Sequence, residues 1–175
     1  PLRQERGQGG EAAHQALHSL DKMIKGGIYD QVGGGFARYS TDTEWLAPHF
    51  EKMLYDNALL IADLSEAYQL TKKERYREVI GETMDFVQRE MLHTNHGFYA
   101  AIDADSEGVE GKFYVWQPEE VKELLGDEAS LFCKYYKIKE RGNWEHRSIL
   151  RVRKSLDVFA AEKGMKEKKK KKMLI

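Results

Sequence analysis

Residues 26–60, GGIYDQVGGGFARYSTDTEWLAPHFEKMLYDNALL, carry the features on which the reading of the whole chain depends. Gly26-Gly27 predicts the end of a preceding helix, because glycine adopts the positive φ of a C′ position without steric cost. The triplet Gly33-Gly34-Gly35 lies between Ile28-Tyr29 and Phe36-Ala37-Arg38-Tyr39. These apolar and aromatic flanks suit two short strands, and the glycines suit a tight turn. A P-loop needs GxxxxGK[ST], and a dinucleotide site needs GxGxxG opening a helix; neither is present. The glycines therefore read as places where backbone passes close to a neighbour or a ligand. Beyond a polar turn at 40–43, Pro48 predicts the first turn of a helix, where its missing N–H leaves nothing unsatisfied. The first two turns of that helix would carry His49, Glu51, Lys52, Tyr55, Asp56 and Asn57. Its body would carry Phe50, Leu54, Ala58, Ile61 and Ser65, widened by Met53, Leu60 and Leu64, so it should be buried on most sides.

Working outward, residues 1–10 read as a polar, glycine-bearing linker. Ala13, Leu17, Leu20 and Ile24 then recur at helical spacing from Glu11. His14 and His18 share a helix face without an HExxH pattern and read as surface histidines. Downstream, Thr71 opens a further helix with the stripe Tyr76, Val79, Ile80, Thr83, Phe86, Val87 and Met91. With the helix before it, this makes an αα-hairpin. After a turn at Asn95-His96-Gly97, residues 98–102 and 112–116 read as two strands separated by the acidic loop DADSEGVEG. Pro118 starts a short helix that Gly126 ends, and Asp127 caps another to about Tyr136. A loop around Trp144 leads to a last helix near Ser155. The fold class is mainly α with short β-hairpins.

Composition bounds the function. A chain of 175 residues, 41% hydrophobic and 33% charged, can bury a core and is not disordered. No apolar run reaches the length of a membrane span, and nothing resembles a signal peptide. The net charge of −1 conceals an asymmetry, since KEKKKKKMLI at 166–175 is +5 and leaves −6 on the body. An acidic body argues against a nucleic-acid face. The lysine-rich tail, 164–175, reads as a solvated end. Cys133 is the only cysteine, so an intrachain disulfide, a CxxC pair and a thiolate-rich zinc site are all excluded. A reducing, cytoplasmic location is expected, with Cys133 a buried structural thiol among Phe132, Tyr135 and Tyr136.

Two constellations bear on chemistry. Asp103, Asp105, Glu107 and Glu110 fall within eight positions, but the twelfth position of an EF-hand would be Tyr114 instead of glutamate. The remaining readings are a looser calcium site, a hairpin loop whose aspartates bond their own backbone, and a general acid or base at a cleft mouth. Spacing alone favours the hairpin. Paired carboxylates near aromatics are nevertheless the equipment of glycosidases. The second constellation is Arg38, Tyr39, Trp45, His49, Glu51, Tyr55 and Asp56, with Trp116 added from the downstream strand. Aromatic faces stack on sugar rings, charged groups bond hydroxyls, and a histidine transfers protons near neutral pH. The competing reading makes Trp45 a helix staple and has His49 and Glu51 serve the helix N-terminus. No metal site and no cofactor is called for.

The stretch 26–60, followed by GFYAAIDADSEGVEGKFYVW at 97–116, resembles the spermatogenesis-associated protein 20 family, also called the thioredoxin-domain-containing YyaL-type proteins. The likeness covers roughly residues 10–150. It implies an N-terminal thioredoxin-like domain followed by a six-hairpin, glycosidase-like (α/α)6 toroid, similar to those of N-acylglucosamine 2-epimerase and cellobiose 2-epimerase. On that resemblance, 11–163 form part of the toroid. The chain would begin after the thioredoxin-like domain, consistent with its lack of CxxC, and stop before the toroid closes. The implied function is epimerase- or glycosidase-like processing of a small sugar, with His49, Asp103 and Asp105 as catalytic candidates. Arg38, Tyr39, Trp45, Glu51, Tyr55, Asp56 and Trp116 would hold the substrate. The alternative is a non-catalytic toroid module that binds a partner beside a redox-type thioredoxin-like domain.

Overall fold

The computed structural model describes residues 8–165; the oligolysine run expected to be a solvated tail lies outside them. Helix α1 (Gln8–Met23) starts within the segment expected to be linker. It ends where expected but for a different reason. Gly26 and Gly27 are absent from the positive-φ residues. A Cβ on Gly26 would instead strike the Trp45 carbonyl, and one on Gly27 the Leu46 carbonyl. The Gly27 N–H donates to that Trp45 oxygen at 2.8 Å, so the helix stops where the chain must lie flush against residues 45–46.

The glycine triplet makes the expected turn. Tyr29 and Phe36 form an antiparallel bridge, and Gly34 and Gly35 take φ of 74° and 78°. Tyr29, Phe36, Leu64, Tyr76 and Val79 form the centre of the main core with Leu20 and Ile24 of the α1 end. Each large side chain buried there contributes roughly 1.5–3 kcal/mol.

Pro48 does not start a helix. Strand β1 (Tyr39–Ser40) pairs antiparallel with β2 (Pro48–His49), and helix α2 begins only at Leu54, running Leu54–Thr71. Between them β3 (Lys52–Met53) pairs with β4 (Ala101–Ile102). The backbone of 38–54 finds partners across strands: Arg38 N–H donates to the Glu51 carbonyl and Leu54 N–H to that of Ala100. A proline fits the start of a short strand as readily as the first turn of a helix. His49, Glu51 and Lys52 thus precede the helix. Asn57, fully buried, fastens the helix start to the glycine hairpin. Its side chain accepts from Phe36 N–H at 2.7 Å and donates to the Phe36 and Met53 carbonyls.

Helix α3 (Glu74–Phe86) buries Tyr76, Val79, Thr83 and Phe86, as its stripe predicts, and packs on α2 as a helical hairpin. Thr71 closes α2 and does not open α3; its hydroxyl donates back to the Ala67 carbonyl at 2.7 Å. The burial expected on most sides of α2 is not met among the described residues, since Leu59 and Leu70 are exposed. A π-helical turn, Val87–Met91, continues α3 and returns Met91 to the interior.

Segments 98–102 and 112–116 do not pair with each other. β4 goes to β3, while β7 (Val115–Trp116) pairs with β8 (Ser148–Ile149). The acidic loop folds on itself as β5 (Asp105–Ser106) against β6 (Val109–Glu110). Helices α4 (Pro118–Leu125) and α5 (Ala129–Tyr136) follow, separated by a 3-10 turn, so Asp127 is not the cap of α5. They pack Val121, Phe132 and Tyr136 on Ile138 and Leu150. Cys133 is half-buried beside them, its thiol pushed up by burial. Ser155 caps α6 (Leu156–Glu162). No helix among the described residues is long and apolar enough to cross a membrane.

Candidate functional site

A cavity of about 730 Å³ opens between the glycine hairpin, the approach to α2, the end of α3 and the acidic hairpin. Three of the residues expected in a site, Asp103, Asp105 and Trp116, line it. Three others on its wall, Asp30, Lys52 and Tyr114, were not assigned a functional role from sequence.

Lys52 is only 2% exposed. Its ammonium donates to Asp30 Oδ2 at 2.9 Å and to the Gly34 carbonyl at 3.0 Å. It also lies 4.4 Å from the Phe86 ring centroid and 4.7 Å from that of Tyr114. Burial pushes the Lys52 ammonium below the usual lysine range, while the Asp30 carboxylate pulls the other way. The other oxygen of Asp30 accepts the N–H groups of Val32 and Gly33, so one carboxylate shapes the hairpin and holds the lysine. The Tyr114 ring stacks parallel to Phe50. Its phenol is pushed up to about 12 by burial and by the Asp30 and Glu90 carboxylates. The signal for Lys52 lay in strand periodicity: Phe50 and Lys52, two apart, are both buried. Reading a helix from Pro48 hid it.

Asp103 Oδ1 accepts the Asp105 N–H at 3.1 Å, the backbone bond expected of the hairpin reading. Among the described residues no group of three or more His, Cys, Asp or Glu is placed to hold a metal ion.

The other expected residues gather elsewhere. His49 Nδ1 lies 2.9 Å from Glu110 Oε1, its Nε2 lies 3.6 Å from Glu51, and its ring packs against Tyr39. Arg38 pairs with the same Glu51 at 3.1 Å, and the Tyr55 phenol and Glu51 together hold its guanidinium above the usual arginine range. Asp56 completes the cluster, its carboxyl pushed up by burial and its Oδ2 without a hydrogen-bond partner among the described residues. None of these lines the cavity. Trp45, with φ of 59°, serves the α1 end through its carbonyl and is no helix staple. The two constellations are therefore separate groups, linked where Glu110 of the acidic hairpin meets His49.

No family model matches the chain. Spermatogenesis-associated protein 20 of Homo sapiens is 40% identical over 183 aligned residues, covering 90% of this chain and 23% of that protein. Its Mus musculus counterpart is 39% identical over the same shares. An uncharacterized protein of Caenorhabditis elegans is 43% identical over 71% of this chain and 19% of its own. The chain thus spans about a quarter of the length of the curated relatives it matches. A crystal structure of D-mannose isomerase superposes with a TM-score of 0.39 at 12% identity, covering 69% of this chain and 34% of that one, a likeness too loose to bear on fold or chemistry. On its similarity to the curated relatives, the chain belongs to the spermatogenesis-associated protein 20 family.

Proposed function

We propose that this chain supplies part of the wall of a sugar-processing cleft in an α/α toroid, epimerase- or glycosidase-like in its chemistry. The observation that carries the reading is the cavity wall, where Asp103 and Asp105 stand with Trp116, Tyr114 and Phe113. Sugars are bound by this combination, with aromatic faces against ring C–H groups and carboxylates accepting from hydroxyls. The α2/α3 hairpin is the kind of unit from which such a toroid is built. A thioredoxin-like domain N-terminal to the toroid and a cytoplasmic location belong to the same proposal.

Isothermal titration of the full-length protein against mono- and disaccharides tests it. A sugar of the panel binds, and Asp103→Asn or Trp116→Ala each weakens it about tenfold, the effect of losing roughly 1.4 kcal/mol. Silence across the panel overturns the proposal.

A second reading is favoured by one observation. His49, the expected acid or base, lies outside the cavity and is held by Glu110. The toroid would then be a non-catalytic module that binds a partner. Full cellular function in the Asp103→Ala/His49→Ala variant favours this reading over the first.

A further inference from the structure

The cavity contains a pair of hydrogen-bond donors left over from the fold. An ammonium has three N–H groups, and Lys52 gives one to Asp30 and one to the Gly34 carbonyl. The ammonium otherwise rests against the Phe86 and Tyr114 rings, and its third N–H has no oxygen acceptor among the described residues. The phenol of Tyr114, whose ring lies against the same ammonium, likewise has no hydrogen-bond acceptor among them. The Tyr114 hydroxyl keeps its proton at neutral pH, because burial and two nearby carboxylates oppose its ionisation.

The rest of the wall limits what such donors serve. The other cations there are committed, Arg89 to Glu90 and the Gly33 carbonyl, and Lys112 to Glu107. Asp103, Asp105 and Glu120 have no ion-pair partner among the described residues, so a phosphate or another multiply charged anion would be repelled. An uncharged or singly charged planar oxygen suits the pair better. Buried donors of this kind bind an oxygen on which charge develops more tightly than they bind an alcohol.

We infer that Lys52 and Tyr114 form a subsite for the carbonyl oxygen of an open-chain sugar, or for the oxyanion of its enediol form. The inference rests on the carbohydrate reading and deepens it, assigning the site to sugars that react through a carbonyl.

The test compares two probes on the full-length protein by isothermal titration. D-Arabinonohydroxamate carries a planar enediolate-like head, and D-arabinitol has the same chain length but only alcohols. The hydroxamate is expected to bind at least tenfold more tightly to the unaltered protein. In Tyr114→Phe and in Asp30→Asn/Lys52→Met that preference should fall to near unity, while arabinitol binding changes little. The double variant leaves no stranded carboxylate, and if it fails to fold, Tyr114→Phe alone carries the comparison. Equal binding of the two probes to the unaltered protein, or a preference that survives in the variants, overturns the inference but leaves the carbohydrate reading standing. Failure of both probes to bind overturns the inference, and silence of the wider sugar panel in addition removes the reading beneath it.

Discussion

Lys52→Met is expected to destabilise the fold by about 3–5 kcal/mol, since removing one partner of a buried ion pair strands the other. The stranded group is Asp30, mostly enclosed beneath the hairpin, whose carboxylate loses the only ion pair it has among the described residues. The substitution also withdraws a donor from the Gly34 carbonyl and a cation from the Phe86 face. Against a typical total stability of 5–15 kcal/mol, such a loss lowers the melting temperature by roughly 6–20 °C for a domain of this size. Asp30→Asn/Lys52→Met should recover a large part of it, because asparagine keeps the oxygen that accepts from Val32 and Gly33. Urea denaturation of the two variants beside the unaltered protein decides the matter. Equal destabilisation of single and double variants would show that Lys52 stabilises by packing alone and not by its pairing.

The second large effect is expected at Gly34. Its φ of 74° costs an L-residue about 1–2 kcal/mol, and an added Cβ would lie 2.5 Å from the Glu82 carbonyl on α3. Helix backbone cannot yield cheaply, so overpacking adds about 1–3 kcal/mol. Gly34→Ala should therefore cost about 2–5 kcal/mol in total. Gly108→Ala is the control. Its φ of 75° is nearly the same, but nothing lies within 4 Å of the new Cβ, so it should show only the backbone cost of about 1–2 kcal/mol. Chemical denaturation of the two variants separates strain from collision. If both lose the same amount, the close approach of hairpin and α3 is not a constraint.

What could be read from the sequence was whatever is encoded locally. The stripe from Tyr76 to Met91 is periodic enough to announce α3, and Pro118 with Gly126 brackets α4. The glycine triplet between aromatic residues announced a turn, and it is one. The acidic loop bonds its own backbone, as closely spaced aspartates do. Failures occur where a residue type serves two local structures or where the partner is distant in sequence. Pro48 is compatible with a first helical turn and with a strand start; only the pairing to Tyr39–Ser40 decides between them. Of residues 112–116, expected as one strand, Lys112–Tyr114 form a 3-10 turn and only Val115–Trp116 is strand; its partner, Ser148–Ile149, lies some thirty positions on and not across the acidic loop. Of the candidate site, Asp103, Asp105 and Trp116 were found because acid and aromatic residues are conspicuous. Lys52 and Asp30, 22 positions apart, were not, since a buried pair has no signature until the chain has folded. His49 meets Tyr39 and Glu51, as grouped from the sequence, but the helix expected to carry it starts only at Leu54.

The π-helical turn after α3 bears on how much length variation this wall of the cavity can absorb. Inward positions along the helix run 76, 79, 83 and 86, and continued α-helical winding would next select residue 90. The wider turn holds one residue more, so Met91 takes the inward place and Glu90 is set on the cavity side. The turn works as a frame-shift in three dimensions. A chain one residue shorter between 87 and 90 would still seal its interior with the same methionine, but on a plain α-helical path. What it would forfeit is the placement of Arg89, which reaches across 56 positions of sequence to the Gly33 carbonyl and ties the end of one helix to the glycine hairpin. The extra residue contributes to the shape of the cavity without being needed to close the core.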